Sequence, residues 1–286
     1  MPKLPPFLLK KIPKQAGFRS LRALIGDEKI RTVCEEARCP NLGECYARQT
    51  CTFMILGNVC TRHCAFCGVA SGQPQAIDPA EPERIAAAVK KLGLSYVVIT
   101  SVTRDDLPDG GASHYAQVIG NLRLNVAVSK IEVLIPDFQG DQEALRTVIE
   151  AKPDVLNHNI ETVLRLYSKI RPQAIYQRSL DLLAHAKGAD SSIYTKSGFM
   201  VGLGETKEEV AAVLQDLKAA NCDIVTIGQY LPPSQAHLQP ARFVEPPEFE
   251  AYEGLGKELG FLRVKAGPFV RSSYHAGEII DEISTS

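Results

Sequence analysis

Short apolar, β-branched runs alternate with helical patterns from residue 53 onward, an arrangement typical of βα units around a parallel sheet. We predict strands at residues 53–56, 96–99, 131–135, 155–156, 197–201 and 224–227. The helices between them carry apolar residues three and four apart. One helix opens at Pro82 and ends at Gly93, and another starts at Asp141. Thr206 and Glu209 have the spacing of a capping box at the start of a further helix.

Six βα units predict an α/β fold, a partial (β/α)6 TIM-like barrel with N-terminal and C-terminal extensions. A barrel that is not closed has a lateral opening that can admit a large substrate. We divide the chain into an N-terminal extension at 1–51, a barrel at 52–240 and a C-terminal extension at 241–286. In such barrels the chemistry lies at the carboxyl ends of the strands, where the βα loops converge.

Composition and charge exclude several classes of function. The 286 residues are 45% hydrophobic and 23% charged, with a formal net charge of −1 and no Trp. These values suit a globular protein and give no electrostatic support to nucleic-acid binding. Residues 1–14 lack the pattern of a signal peptide, and no apolar run approaches membrane-spanning length. We therefore expect a cytoplasmic protein, or one imported into a plastid-like or matrix space, with no membrane partner.

Seven of the eight cysteines lie between Cys34 and Cys67. Cytosolic thiols are kept reduced, so metal or catalytic chemistry is a better expectation than disulfides. The first strand leads into Cys60, Cys64 and Cys67, a C-x3-C-x2-C loop whose thiolates can hold three corners of a [4Fe–4S] cluster. The alternatives are a zinc site or a few buried cysteines, but structural zinc prefers four protein ligands.

This loop, set after the first strand of a βα pattern, resembles the radical S-adenosylmethionine superfamily. The resemblance implies that the open iron chelates the methionine moiety of S-adenosylmethionine, whose reductive cleavage yields a 5′-deoxyadenosyl radical. It also implies that Thr100 and Ser101, after the second strand, contact the methionine amino group, with Asp105 as a further candidate. Asn159 and Glu161 are expected to bind the ribose or the methionine carboxylate.

A second triplet, Cys34, Cys39 and Cys45, has the spacing C-x4-C-x5-C, and Arg271-Ser272-Ser273-Tyr274 stands near the end of the chain. Together these motifs resemble the lipoyl synthase family over roughly residues 17–277. The resemblance implies a second, auxiliary [4Fe–4S] cluster held by the triplet and by Ser273, with Ser272 as the alternative ligand. A serine oxygen is a harder ligand than a thiolate, so the iron it holds should be released more easily. That property suits a cluster that is consumed as the sulfur donor.

The implied activity is that of a sulfurtransferase, which inserts sulfur at C6 and C8 of an octanoyl chain on a lysine of a lipoyl carrier domain. Implied partners are octanoylated H protein or 2-oxoacid dehydrogenase E2 subunits, and an electron donor of the ferredoxin or flavodoxin type. Two alternatives stay open. One is another two-cluster radical sulfurtransferase, and the other is a non-catalytic iron–sulfur carrier.

Other polar or reactive residues have simpler interpretations. Cys51 and Cys222 adjoin apolar strand starts and are expected in the core. His158 is expected to be a structural histidine. The segment from Lys196 to Thr206 lacks the third glycine of a dinucleotide fingerprint, so we predict a tight strand-to-helix turn there instead. The proline-containing segment after the last strand is expected to cover the barrel opening.

Overall fold

The computed structural model describes residues 4–10 and 15–284. Residues 1–3, 11–14 and 285–286, which belong to the predicted extensions, lie outside the described residues. The strands are β1 Arg31–Thr32, β2 Thr52–Ile55, β3 Val59–Cys60, β4 Ala70–Ser71, β5 Tyr96–Ser101, β6 Lys130–Leu134, β7 Val155–Asn157, β8 Tyr194–Val201, β9 Ile224–Gln229 and β10 Arg263–Gly267. The α-helices are α1 Gln15–Asp27, α2 Val33–Glu36, α3 Leu42–Ala47, α4 Glu81–Leu92, α5 Ala112–Asn125, α6 Gln142–Glu150, α7 Tyr167–Ile170, α8 Tyr176–Ala189, α9 Lys207–Ala219, α10 Pro246–Glu258 and α11 Ala276–Ser284.

A central sheet carries the fold. Its strands run in the order β1-β2-β5-β6-β7-β8-β9-β10. β1 pairs antiparallel with β2, and the neighbouring strands from β2 to β10 pair in parallel. The predicted partial barrel is confirmed, and all six predicted strands belong to it. The sheet also contains β10, which the sequence analysis assigned to the C-terminal extension.

Local sequence signals explain where the helices begin and end. Gly93 ends α4 in the left-handed conformation (φ 62°), as its position after the last apolar residue predicted. The Asp141 side chain accepts hydrogen bonds from the Glu143 and Ala144 amides at the start of α6. Thr206 and Glu209 form the predicted capping box of α9. These caps satisfy backbone amides that would otherwise lack partners.

Three clusters of buried apolar residues make up the core. The outward faces of the strands pack under the surrounding helices, and α1 and α3 of the N-terminal extension join the same cluster. Inside the barrel, Ile279 and Ile280 of α11 pack against the first residues of β5, β7 and β9. The amino-terminal end of the barrel is thus closed by the last helix of the chain.

A buried ion pair between β6 and β8 lies inside the barrel. Lys196 Nζ lies 2.9 Å and 3.1 Å from the two carboxylate oxygens of Glu132, and both side chains are at most 1% exposed. The hydroxyl of Tyr96 donates to the same carboxylate at 2.6 Å. No helix among the described residues has the length and apolar character needed to span a membrane.

Candidate active site

The first cysteine loop begins in β3, shortly after β2, and is fixed by its backbone. The amide and the hydroxyl of Thr61 both donate to the Thr103 carbonyl at 3.0 Å, and the Ala65 amide donates to the Ile170 carbonyl at 2.9 Å. The loop is thereby tied to the segments that follow β5 and β7, at the carboxyl end of the barrel.

Arg62, between the first two cysteines of this loop, lies at the centre of a buried charge network. Its guanidinium donates to both oxygens of Asp105, at 2.6 and 2.8 Å, and to Asp137 at 2.6 Å. Arg62 is 5% exposed and the Asp137 side chain 0%. Burial alone would raise the pKa of Asp137, but the Arg62 guanidinium holds it below its usual range. Arg62 and Asp137 follow strands at the mouth of the barrel, but no role was predicted for either residue from the sequence.

The three thiols of this loop are unpaired and half-buried. Burial and the neighbouring thiols raise the pKa of Cys67 to about 12, and burial raises that of Cys64 while the nearby Arg171 opposes the shift. The Arg62 amide points at the Cys60 sulfur, 3.4 Å away. Such thiols become ligating thiolates when metal charge replaces their protons, and backbone N–H···S contacts are usual around iron–sulfur clusters. The donor set therefore fits a cluster held by three cysteines.

The second triplet belongs to the N-terminal extension and forms its own group. Burial raises the pKa of Cys34 to about 12 and that of Cys45 to about 11, and the charge of Cys39 contributes to both shifts. The Asn41 amide lies 3.5 Å from the Cys39 sulfur. In the part of the chain that the structure describes, no group of three or more His, Cys, Asp or Glu side chains is arranged to hold a single metal ion.

The two triplets lie next to each other. A Cβ atom placed on Gly68, the residue after Cys67, would be 2.9 Å from the carbonyl oxygen of Ala37, which lies between Cys34 and Cys39. The same position would be 2.9 Å from Pro233 Cβ. Pro233 therefore lies at this junction. The Gln229 side-chain amide donates to the Arg242 carbonyl at 3.2 Å, so the segment that contains Pro233 begins and ends at β9.

The C-terminal segment returns to the second triplet, as its resemblance implied. The Asn41 amide group donates to the Phe269 carbonyl at 2.7 Å, and the Tyr274 hydroxyl donates to Glu44 at 2.8 Å. Lys10 contacts the same carboxylate at 2.7 Å. Burial would raise the pKa of Glu44, but the hydrogen bonds from Lys10 and Tyr274 lower it to about 2. The tail is therefore attached by charge-assisted hydrogen bonds beside Cys45.

The two serines of the tail have different surroundings. Ser272 donates its hydroxyl to the Asn159 side-chain oxygen at 2.8 Å. The Ser273 hydroxyl makes no hydrogen bond within the described residues. Of the two, Ser273 is the one whose oxygen is available for a ligand.

The residues predicted to contact S-adenosylmethionine fall into two groups. Asn159 donates to the Glu161 carboxylate at 3.0 Å, and both follow β7. Burial raises the pKa of Glu161, opposed by Arg171 and Arg271. Thr100 and Ser101 end β5, which β6 separates from β7. The Thr100 hydroxyl donates to the Leu134 carbonyl at 3.0 Å, and the Ser101 hydroxyl is buried without a partner among the described residues.

The structure confirms the simpler interpretations of His158, of Cys222 and of the glycine-containing turn. It supports the one for Cys51, which is only partly buried. His158 is buried between the Ile135 carbonyl and the Ser179 hydroxyl, and burial lowers its pKa to about 4. Cys222 is 1% exposed in the core, and Cys51 packs against the core while partly buried. The glycine-containing segment after β8 forms a tight turn in which the Glu205 carboxylate accepts hydrogen bonds from the Gly202 and Leu203 amides.

Solved structures of known proteins share this fold. HydG, a maturase of the [FeFe]-hydrogenase, aligns with a TM-score of 0.60 over 94% of this chain and 67% of its own, at 15% identity. Methylornithine synthase aligns with a TM-score of 0.53 over 92% and 84% of the two chains, at 13% identity. The family model described as the radical SAM superfamily matches residues 54–217. The fold and the cysteine loop thus define a radical S-adenosylmethionine enzyme, a class that implies a [4Fe–4S] cluster and S-adenosylmethionine as cofactors.

Relatives with more than 50% sequence identity show which family within this class the chain belongs to. The lipoyl synthase of Caldanaerobacter subterraneus subsp. tengcongensis is 58% identical over 90% of this chain and 90% of its own. That of Rubrobacter xylanophilus is 55% identical over 96% and 85% of the two chains. The chain belongs to the lipoyl synthase family.

Proposed function

We propose that this enzyme inserts two sulfur atoms, at C6 and C8 of an octanoyl chain amide-linked to a lysine of a carrier protein. The observation that carries the proposal is the attachment of the C-terminal tail to the second cysteine triplet, with the Ser273 hydroxyl unengaged. A radical enzyme that only cleaves S-adenosylmethionine needs one triplet. A second triplet with a hydroxyl beside it supports a separate, labile cluster that donates sulfur.

We assign Cys60, Cys64 and Cys67 to the radical-generating cluster, and Cys34, Cys39, Cys45 and Ser273 to the auxiliary cluster. When bound, the first cluster and S-adenosylmethionine supply the 5′-deoxyadenosyl radical, and the second cluster supplies sulfur, two molecules of S-adenosylmethionine being used per product. Thr100, Ser101, Asn159 and Glu161 are the proposed contacts of S-adenosylmethionine. In this proposal the N-terminal extension at 1–51 carries the auxiliary-cluster cysteines, the barrel at 52–240 carries the radical-cluster cysteines, and the C-terminal extension at 241–286 carries Ser273.

The charges between the two triplets support their use as a pair of anionic cluster sites. Arg171 donates to the Asn159 carbonyl at 2.9 Å, and its charge opposes the rise that burial causes in the pKa of Cys64. Burial lowers the pKa of Arg271, and the charges of Cys39 and Glu161 oppose this shift only in part. Glu161 interacts electrostatically with both arginines, Arg171 also interacts with Cys64, and Arg271 also interacts with Cys39. Buried cations at these places favour the thiolate form of the cysteines.

The substrate is proposed to be a protein-bound octanoyl group, presented by H protein or by an E2 subunit of a 2-oxoacid dehydrogenase. A ferredoxin or flavodoxin type of protein is proposed as the electron donor. We place the reaction in the cytoplasm, where thiols stay reduced and available to iron.

Anaerobic turnover with an octanoyl-lysyl peptide tests the proposal. Reconstituted enzyme, dithionite and S-adenosylmethionine should give 5′-deoxyadenosine, and the peptide should gain the mass of two sulfur atoms as a dithiol, measured by mass spectrometry. An iron–sulfur carrier would give neither product. A different two-cluster sulfurtransferase would give 5′-deoxyadenosine when its own substrate is supplied, and it would not add two sulfur atoms to the octanoyl-lysyl peptide.

A further inference from the structure

Three polar side chains converge on Gly198, which lies within β8. A Cβ atom at this position would be 2.7 Å from Thr226 Oγ1, 2.8 Å from Ser272 Oγ and 2.9 Å from Asn159 Oδ1. Any side chain at residue 198 would therefore push these groups apart. The absence of a Cβ leaves the space in which the Ser272 hydroxyl meets Asn159, 2.8 Å away.

This hydrogen bond joins two parts of the site that are far apart in sequence. Ser272 and Asn159 are 113 positions apart. On the C-terminal side, Ser272 directly precedes Ser273, the proposed ligand of the auxiliary cluster. On the other side, the Asn159 amide donates to Glu161 at 3.0 Å, and Arg171 donates to the Asn159 carbonyl at 2.9 Å.

Both groups of the Asn159 side chain are thus occupied, the oxygen by Ser272 and the nitrogen by Glu161. An asparagine with both ends held keeps one orientation, whereas loss of one partner lets the amide rotate. The orientation of Asn159, and with it the amide that a ligand would meet, therefore depends on the position of the C-terminal tail.

We propose that Ser272 is a positioning residue that couples the auxiliary cluster to the S-adenosylmethionine site. Its hydroxyl holds Asn159 in its binding orientation while its backbone holds Ser273 beside the second triplet. The inference rests on the proposed function, in which Ser273 is a cluster ligand and Asn159 contacts S-adenosylmethionine. When Ser273 leaves the cluster, the Ser272 hydrogen bond is disturbed and the affinity for S-adenosylmethionine falls. Linkage requires the converse, so bound S-adenosylmethionine favours the ligated tail.

The test measures the dissociation constant of labelled S-adenosylmethionine by equilibrium dialysis against the anaerobic holoprotein. Loss of one hydrogen bond of this kind corresponds to roughly a two- to tenfold change in an equilibrium constant. Ser272→Ala and Ser273→Ala should each weaken binding by that factor, and the double variant should bind no more weakly than Ser272→Ala. Ser272→Thr keeps the hydroxyl and should bind within about twofold of the wild type.

Ser192→Ala is the matched control, because its hydroxyl also donates one hydrogen bond, to Asp190 at 2.6 Å on an exposed loop. It should leave the dissociation constant unchanged. Wild-type affinity in Ser272→Ala would overturn the inference, as would a double variant whose loss is the product of the two single losses, because independent effects mean no coupling.

The cluster content of the wild type separates this inference from the proposed function. Two four-iron clusters with no effect of Ser272→Ala would overturn only the coupling. One four-iron cluster would overturn the two-cluster proposal and the coupling with it.

Discussion

Replacing Arg62 by alanine is expected to destabilise the radical-cluster loop more than any exposed substitution. The change removes three charge-assisted hydrogen bonds and leaves Asp137, whose side chain is fully buried, with Arg178 at 3.2 Å as its remaining ion-pair partner among the described residues. Breaking a buried ion pair on one side costs about 3–5 kcal/mol. For a chain of this size that is a fall in Tm on the order of 10 °C.

The cost arises because Asp137 stays buried without Arg62, so a second change at Asp137 should recover part of the lost stability. In Arg62→Ala, burial is no longer opposed by the Arg62 guanidinium and the pKa of Asp137 rises. The protonated form is then favoured by folding, so the stability of this variant falls as pH rises through the raised pKa. In the wild type the pKa is lowered, and the contribution is present at neutral pH and lost only in acid. Arg62→Ala combined with Asp137→Asn should be more stable than Arg62→Ala alone.

Thermal unfolding by circular dichroism at pH 5 and pH 7 measures both effects. Arg146→Ala is the control, since its side chain is 62% exposed and its ion pairs are worth at most about 1 kcal/mol. A variant Arg62→Ala that melts with the wild type, or a double variant less stable than Arg62→Ala, would refute the reasoning.

Three further predictions concern the cluster ligands and the tail. Ser273→Ala should keep reductive cleavage of S-adenosylmethionine and lose most two-sulfur product, as measured by 5′-deoxyadenosine and peptide mass in one assay; equal loss of both would argue against a role at the auxiliary cluster. Cys51→Ser should leave the iron content unchanged, because Cys51 packs against the core and belongs to neither triplet; a fall in iron would contradict that. The pKa of Glu44, lowered to about 2, implies that its contribution to tail attachment is present above about pH 4.5 and is lost as pH falls toward 2. Limited proteolysis should therefore release the tail faster at pH 3 than at pH 6, and Tyr274→Phe should release it faster at both, by roughly two- to tenfold; unchanged rates would show that Glu44 does not hold the tail.

Periodic local signals made most of the barrel predictable from the sequence. The β-branched runs, the capping box at Thr206 and the glycine after α4 each act within a few residues, and each appears where it was expected. The strand β10 was missed because Lys265 separates its apolar residues Val264 and Ala266, so they form no apolar run. The helix α5 was missed because the turn before it, rich in Asp, Pro and Gly, hides its start at Gly111.

The site was predictable only as far as its motifs are local. The cysteine spacings show two triplets, but nothing in them shows that the segment after Cys67 contacts Ala37. The Arg62 contact to Asp137 spans 75 positions, and the Ser272 contact to Asn159 spans 113. Such pairs depend on how the strands order themselves in the sheet, which a single sequence does not encode in any local pattern. The same holds for α11. Its apolar residues predict burial, but they do not show that it packs against the amino-terminal ends of the barrel strands.

Mössbauer spectroscopy of iron-57-loaded protein tests the central claim most directly, when the wild type is compared with two full-length variants. One variant replaces Cys60, Cys64 and Cys67 by alanine, and the other replaces Cys34, Cys39 and Cys45. We predict two [4Fe–4S] clusters in the wild type and one in each variant. A single cluster in the wild type, or loss of all clusters in either variant, would contradict the assignment of two independent triplets.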